Sequence, residues 1–275
     1  MIFSDLDLSR RLERAEATGG ARFVEANGSV WVEIAGAYAM FNGPGSPVTQ
    51  TFSLGLFVEP TVADLDHIEA FFHERGAPVN HEVSPLAGVA LADVLARRGY
   101  RPIELTSVMY MPLTPSSALP HSPSQIQTRL LAEGEEDLWS RTSARGWNTS
   151  PEFAEFVLAL GRVTASCEGA INFFGCLGEA PIATAVLRCD GGVALLAGAS
   201  TIPEARRQGA QRALLETRLN LAAGRGCDIA MMCAEPGSAS QRNAERQGFR
   251  IAYTRTKWQL PAPVTLKAQA TKVAI

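Results

Sequence analysis

The residues best suited to chemistry in this chain lie between Ala194 and Leu215, which read Ala-Leu-Leu-Ala-Gly-Ala-Ser-Thr-Ile-Pro-Glu-Ala-Arg-Arg-Gln-Gly-Ala-Gln-Arg-Ala-Leu-Leu. An apolar, strand-like run stops at Pro203, which cannot donate to a sheet ladder. Beyond Arg206, the residues Ala210, Ala213, Leu214, Thr217 and Leu221 recur at helical spacing, so a helix opens at Gly209 and stops around Gly224 and Gly226. The first four amides of such a helix lack intrahelical partners, and the aligned peptide dipoles add about half a positive charge there. Gly209 and Ala210 leave room for an anion to reach that backbone, with Arg206, Arg207 and Arg212 close by. The chemistry this spacing suits is the grip of a phosphate or diphosphate. The alternative is an ordinary strand, turn and helix with solvated arginines.

Two phosphate-binding motifs are excluded. Gly209-Ala210-Gln211 lacks the Gly-Lys-Ser/Thr ending of a nucleotide-hydrolysing loop,. The Gly-x-Gly-x-x-Gly of a dinucleotide fold is also missing.

The pattern Pro203-x-x-Arg206-x-x-Gly209, placed between an apolar strand and an amphipathic helix, resembles the acyl-CoA diphosphate loop of the GNAT superfamily (general N-acetyltransferases). That loop reads Arg/Gln-x-x-Gly-x-Gly/Ala. Arg206 and Gly209 match, and Gln211 stands where the family has a small residue. Further along, a β-like run Asp228–Ala234 leads to Glu235-Pro236-Gly237-Ser238, a turn and helix-cap signal,. A short helix, the pair Gly248-Phe249 and a strand from Ile251 follow, in the family's order. A left-handed residue is cheap at a helix C-terminus only for glycine, which suits Gly248. The resemblance runs from Ile126 to Leu260.

The resemblance implies that acetyl-CoA lies in a V-shaped split between two central strands, where a primary amine attacks the thioester directly. The implied cofactor contacts are Ala199, Ser200, Thr201, Arg206, Arg207, Gln208, Gly209, Ala210, Gln211, Arg212, Ser240 and Asn243, with the strand Val193–Ser200 along the pantetheine arm. The family tyrosine that protonates the departing thiolate falls on Ala244 here, so Asn243, Ser240 and Tyr253 are the substitutes. Tyr253 has the alternative of a packed strand aromatic. Glu235 is the base candidate, alone or through a water, or else a turn residue capping the next helix. Trp139 and Trp147 are the acceptor-binding candidates, with Phe153 or Phe156 beside them. Core packing is the competing reading for Trp139, Phe153 and Phe156.

Thirteen residues from Pro112 to Ser124 carry four prolines and four serines and read as a linker,. The text on either side repeats: shifted by 149 positions, Ala90, Arg97, Gly99, Arg101 and Pro112 fall on Ala239, Arg246, Gly248, Arg250 and Pro261, and Tyr100 on Phe249. A period so long points to duplication. The fold class expected is α/β (an α+β mixed sheet). It consists of two GNAT-like domains in tandem, each a mixed, mostly antiparallel sheet flanked by helices. The boundaries are 1–113 for a copy without a CoA site, 114–125 for the linker, 126–262 for the acyl-CoA-binding copy and 263–275 for a tail. In the first copy, Gly55 to Thr61 reads as the strand and its proline. The helix after it opens with Asp64, Asp66 and Glu69, acids that cap a helix but repel a diphosphate.

A net charge of −3 argues against nucleic acid as partner,. No apolar run approaches the ~18–20 residues that cross a bilayer, and the acidic N-terminus reads as no signal peptide. The five cysteines show no Cys-x-x-Cys pair, and His67 and His73 are six apart. No metal and no disulfide are expected, in a cytoplasmic setting. His67, His73, His81 and His121 are expected at surface or half-buried positions. The function expected is N-acyl transfer from acetyl-CoA to a small-molecule or aminoacyl-like amine, by a monomer or homodimer. A non-catalytic module that senses CoA or another ligand is the alternative.

Overall fold

The computed structural model describes residues 2–114, 125–147 and 151–262, the last without the side chains of 151–153. Residues 115–124 of the expected 114–125 linker, with His121, lie outside the described residues, as do the Phe153 side chain and the tail 263–275.

The first half runs α1 (Leu6–Ala26), β1 (Val30–Ile34), β2 (Ala37–Phe41), β3 (Gln50–Phe52), α2 (Val62–His73), β4 (Val79–Val83), α3 (Val89–Arg97) and β5 (Arg101–Pro112). The second runs β6 (Ile126–Leu130), α4 (Glu136–Trp147), α5 (Pro151–Ser166), β7 (Ile171–Leu177), β8 (Ala180–Asp190), β9 (Val193–Thr201), α6 (Ala210–Gly224), β10 (Ile229–Ala234), α7 (Ala239–Arg246) and β11 (Arg250–Leu260). Gly55 to Val58, expected as a strand, is a turn, because β3 already ends at Phe52.

The duplication is visible in the backbone. At the end of α3 the amides of Gly99 and Tyr100 bond to Ala96 O and Leu95 O; at the end of α7 those of Gly248 and Phe249 bond to Glu245 O and Ala244 O. Both glycines are left-handed, at φ 91° and 95°, a conformation that only glycine adopts without a steric penalty. The aromatic that follows each is buried.

The described strands form one sheet of order β1-β2-β3-β4-β11-β5-β10-β9-β8-β7-β6. The halves do not keep separate sheets. Each sends its last strand across: β11 enters between β4 and β5, and β5 pairs β10 from Ser107↔Ala234 to Pro112↔Ile229. Side-chain alternation divides the core between two faces. Leu8, Leu12 and Ala15 of α1 pack with Val108, Leu195 and Met231, while Met109, Ala194 and Ala230 face Leu214 and Leu219 of α6. α1 also reaches Met40 and Phe52 of the first half. Among the described residues no helix is long and apolar enough to cross a membrane.

A buried ionic cluster sits where the halves meet. Arg255 of β11 bonds Glu16 through both terminal nitrogens, at 2.5 and 3.0 Å, and lies 2.9 Å from Glu82 of β4 and 3.5 Å from Glu13. Lys257 reaches Glu82 at 3.1 Å, and the Tyr253 hydroxyl donates to Glu13 at 2.9 Å. His81, expected near the surface, is fully buried beside Tyr100 at 3.0 Å. Burial, helped by the Arg98 cation, pushes its imidazole down to about 3.

Burial pushes the Glu13 carboxyl up from its ordinary 4.5 to about 7, against the pull of Arg255. A folded-state value raised above the unfolded one means that the native protein binds the extra proton in this window. Stability therefore falls as pH rises from about 4.5 to about 7,. We expect Glu13→Gln to flatten that slope and to exceed the wild type at pH 8 by on the order of 2 kcal/mol. Urea midpoints measured across pH check this, and parallel profiles for the two proteins would refute it.

Candidate functional site

The site begins with two parallel strands that stop touching. β9 and β10, linked through α6, pair only at Val193↔Ile229, Ala194↔Ala230 and Leu195↔Met231. Beyond these positions β9 runs on to Thr201 and β10 to Ala234 with no pairing across the gap, which leaves a V-shaped split. A bulge in β9 accompanies the parting: Thr184 faces Ser200 and Val186 faces Ala197, so Gly198 and Ala199 share one opposite residue. Gly198 is left-handed at φ 56°, and a Cβ there would come within 3.0 Å of Val186, so the bend requires glycine.

The split leads to the start of α6. After a 3-10 turn at Pro203–Ala205, Arg207 takes a left-handed φ of 64°, rare for a residue with a side chain,. Gly209 forms the N-cap at φ 87° with no side-chain cap bond. The Arg206 amide bonds Pro203 O and the Ala213 amide bonds Gly209 O, but among the described residues no acceptor meets the amides of Arg207 to Arg212. These exposed donors and the helix dipole make a positive cradle.

The arginine side chains behave differently from expectation. Arg206 donates to Thr201 O at 3.3 Å and Gly146 O at 3.0 Å, so it fastens the loop to the end of α4. Arg212 pairs with Glu216 at 2.8 Å. Of these three loop arginines, Arg207 alone has no guanidinium partner among the described residues, because the other two satisfy acceptors within the fold. Gln211 bonds the Thr201 hydroxyl at 2.7 Å, and Ser200 bonds Thr184 and Ser143 O. Gly146 allows that approach, since a Cβ there would meet Ser200. Ala199 lines the bulge, Gln208 is exposed and Ala210 is buried beneath the cradle.

The remaining candidates scatter. Glu235 is exposed in the turn after β10, and the cap of α7 is Ser238, which accepts from the Gln241 amide at 3.2 Å. Ser240 and Asn243 are exposed on α7, and Asn243 Oδ1 accepts from Arg246 at 2.9 Å. Ala244 is buried with Phe249 in the core under α6. Tyr253 lies on the opposite face, packed under α1, with its phenol held by Glu13. Trp139 takes its core alternative: it is fully buried and its indole nitrogen donates to Phe173 O at 3.0 Å. Trp147 is exposed at the end of α4, next to the Gly146 carbonyl that Arg206 holds.

No family model and no curated protein matches the chain. Solved structures do resemble it. A GCN5-related N-acetyltransferase from Kribbella flavida superposes with a TM-score of 0.65 at 18% identity, over 90% of this chain and 96% of that one. A tandem GNAT protein from the clavulanic acid biosynthesis pathway gives 0.60 at 11% identity, over 82% and 78%. A GCN5-related N-acetyltransferase from Sphaerobacter thermophilus gives 0.57 at 16%, over the same shares. The chain has the tandem GNAT fold.

The two halves of this GNAT fold differ at corresponding places. In the first half β3 and β4 bridge only at Thr51↔His81, and there the helix start is closed from within. Thr61 accepts from the Asp64 amide, and the Asp64 carboxylate accepts from the Thr61 amide and hydroxyl. These bonds hold Asp64 below its ordinary range. Asp66 and Glu69 turn instead to Arg98. The second half leaves the equivalent amides bare.

Sequence reasoning missed the Glu13–Arg255 cluster and Arg218, since charged residues read as solvated on helix and strand alike. The available signal for Arg218 was its spacing of four from Leu214, on the buried face. We expect Trp139→Ala to destabilise the fold by about 3–5 kcal/mol through the cavity left. A urea midpoint within error of the wild type would return Trp139 to the acceptor pocket.

Proposed function

We propose that this protein transfers an acetyl group from acetyl-CoA to a primary amine of a small-molecule or aminoacyl-like acceptor, by direct attack on the thioester. The observation that carries the reading is the split between β9 and β10 ending on the uncapped start of α6. The amides of Arg207 to Arg212 hold the diphosphate, with the Arg207 guanidinium adding charge. The pantetheine arm runs along the free edge of β9 at Ala197 to Ala199, where small side chains permit close approach. The amine nitrogen bonds to the acetyl carbon, the carbon–sulfur bond breaks, and CoA leaves as the thiol with a proton from the nitrogen. Placement of amine and thioester in attack geometry supplies several kcal/mol of the rate gain. Glu235 takes the base role at the exposed end of β10, and Trp147 borders the acceptor entrance. Free cysteines among the described residues suit a reducing, cytoplasmic setting,.

A second reading, a module that binds CoA without turnover, is favoured by one observation: the Tyr253 phenol is committed to Glu13 and Ala244 has no acidic group, so neither of these two positions offers a free acid. Release of free thiol from acetyl-CoA with a panel of primary amines separates the two. We expect amine-dependent release; binding without any release would favour the sensor.

Gly209→Glu places a carboxylate within the diphosphate's reach, where like charges ~6 Å apart repel by roughly 3 kcal/mol. Calorimetry should show acetyl-CoA affinity reduced by about 100-fold, with the fold retained and the thermal midpoint lowered by the side chain forced to a left-handed φ of 87°,. Undiminished affinity would place the cofactor elsewhere.

A further inference from the structure

Arg218 is buried in α6, and among the described residues no carboxylate pairs with it. Burial lowers its guanidinium to about 10, so it stays charged at neutral pH. Such a cation is costly unless its donors find acceptors. It donates to Leu214 O at 3.2 Å on its own helix, to Val186 O at 3.1 Å and to Ala197 O at 3.4 Å. The last two belong to the register pair at one end of the β9 bulge, Val186 on the opposing strand and Ala197 on the bulged one. One terminal nitrogen, Nη1, meets both strand carbonyls while Nε holds Leu214 O; a lysine has no second nitrogen to keep that helix anchor, and a methionine has no N–H donor,.

We infer that Arg218 is a positioning residue, which props the β9 bulge open so that the strand presents its backbone edge to the pantetheine arm. Arg218 touches no cofactor atom in this arrangement; it acts through Gly198 and Ala199. The same helix carries the diphosphate cradle at its first turn and the prop two turns later. Its seating therefore sets the distance between the two grips on the cofactor. The inference rests on the acetyl-CoA reading for its ligand, and on the bulge geometry alone for the prop.

The test uses the full chain with Arg218→Lys and Arg218→Met, and two ligands. Acetyl-CoA needs both grips; 3′-phosphoadenosine 5′-diphosphate has the diphosphate and lacks the pantetheine. We expect acetyl-CoA affinity to fall by about 10-fold or more in both variants, with affinity for the diphosphate fragment within about twofold of wild type. An equal loss for both ligands, or no loss for either, would overturn the inference. Amide hydrogen exchange without ligand reads the prop directly. Faster exchange at Gly198 and Ala199 in Arg218→Lys, with the rest of β9 unchanged, supports it, and unaltered protection there refutes it. If the wild type binds neither ligand, the acetyl-CoA reading fails, while the exchange result still decides the role of Arg218. Should Arg218→Met not fold, the lysine variant carries both measurements.

Discussion

Two parallel strands in the middle of a sheet normally satisfy each other's backbone groups along their whole length. β9 and β10 do so at three positions and then separate. An unpaired buried amide or carbonyl costs about as much as a lost hydrogen bond, so a split of this kind persists only when something holds it open. Here the bulge at Gly198 turns β9 aside, and Arg218 takes up the Val186 and Ala197 carbonyls at one end of it. The rest of the site follows from that parting. The freed edge of β9 and the bare start of α6 lie at its open end, and α4 closes one side through Arg206 and Ser200.

The exchange of terminal strands explains why the first half persists without a diphosphate cradle of its own. β5 provides the partner that β10 needs, and β11 does the same for β4. Neither half has a complete sheet alone. The cluster of Glu13, Glu16, Glu82 and Arg255 joins α1, β4 and β11 at this junction. With three acids around Arg255 and Lys257, a protonated Glu13 leaves two negative and two positive charges. Burial is the main cause of its raised pKa, and the neighbouring Glu16 carboxylate adds to it against the pull of Arg255,.

Much of this was legible in the chain. The 149-residue echo predicted two helix endings that turn out to share the same pair of backbone bonds, because a left-handed glycine followed by a buried aromatic is a local instruction,. The helix opening at Gly209 was legible from its glycine and the helical spacing after it, and of the acids of α2 Asp64 closes its helix start,. Other features were not. Gly55 to Val58 looked like a strand by composition, yet no neighbour pairs with it. His81 looked available by residue type, Trp139 was open between pocket and core, and each is buried against a partner distant in sequence, Tyr100 for His81 and Phe173 for Trp139. Arg206 and Arg212 looked like phosphate ligands, and acceptors brought close by folding claimed them first.

The sequence by itself determined the local conformations: where helices start and stop, where glycine is required, and that the chain repeats. These depend on φ/ψ limits and on hydrogen bonds between residues a few places apart. Only the tertiary structure decided which strand lies beside which, that the halves share one sheet, and which charged groups are left for a ligand. Those outcomes depend on long-range pairing and on competition among many acceptors for the same donors, which neighbouring residues do not encode.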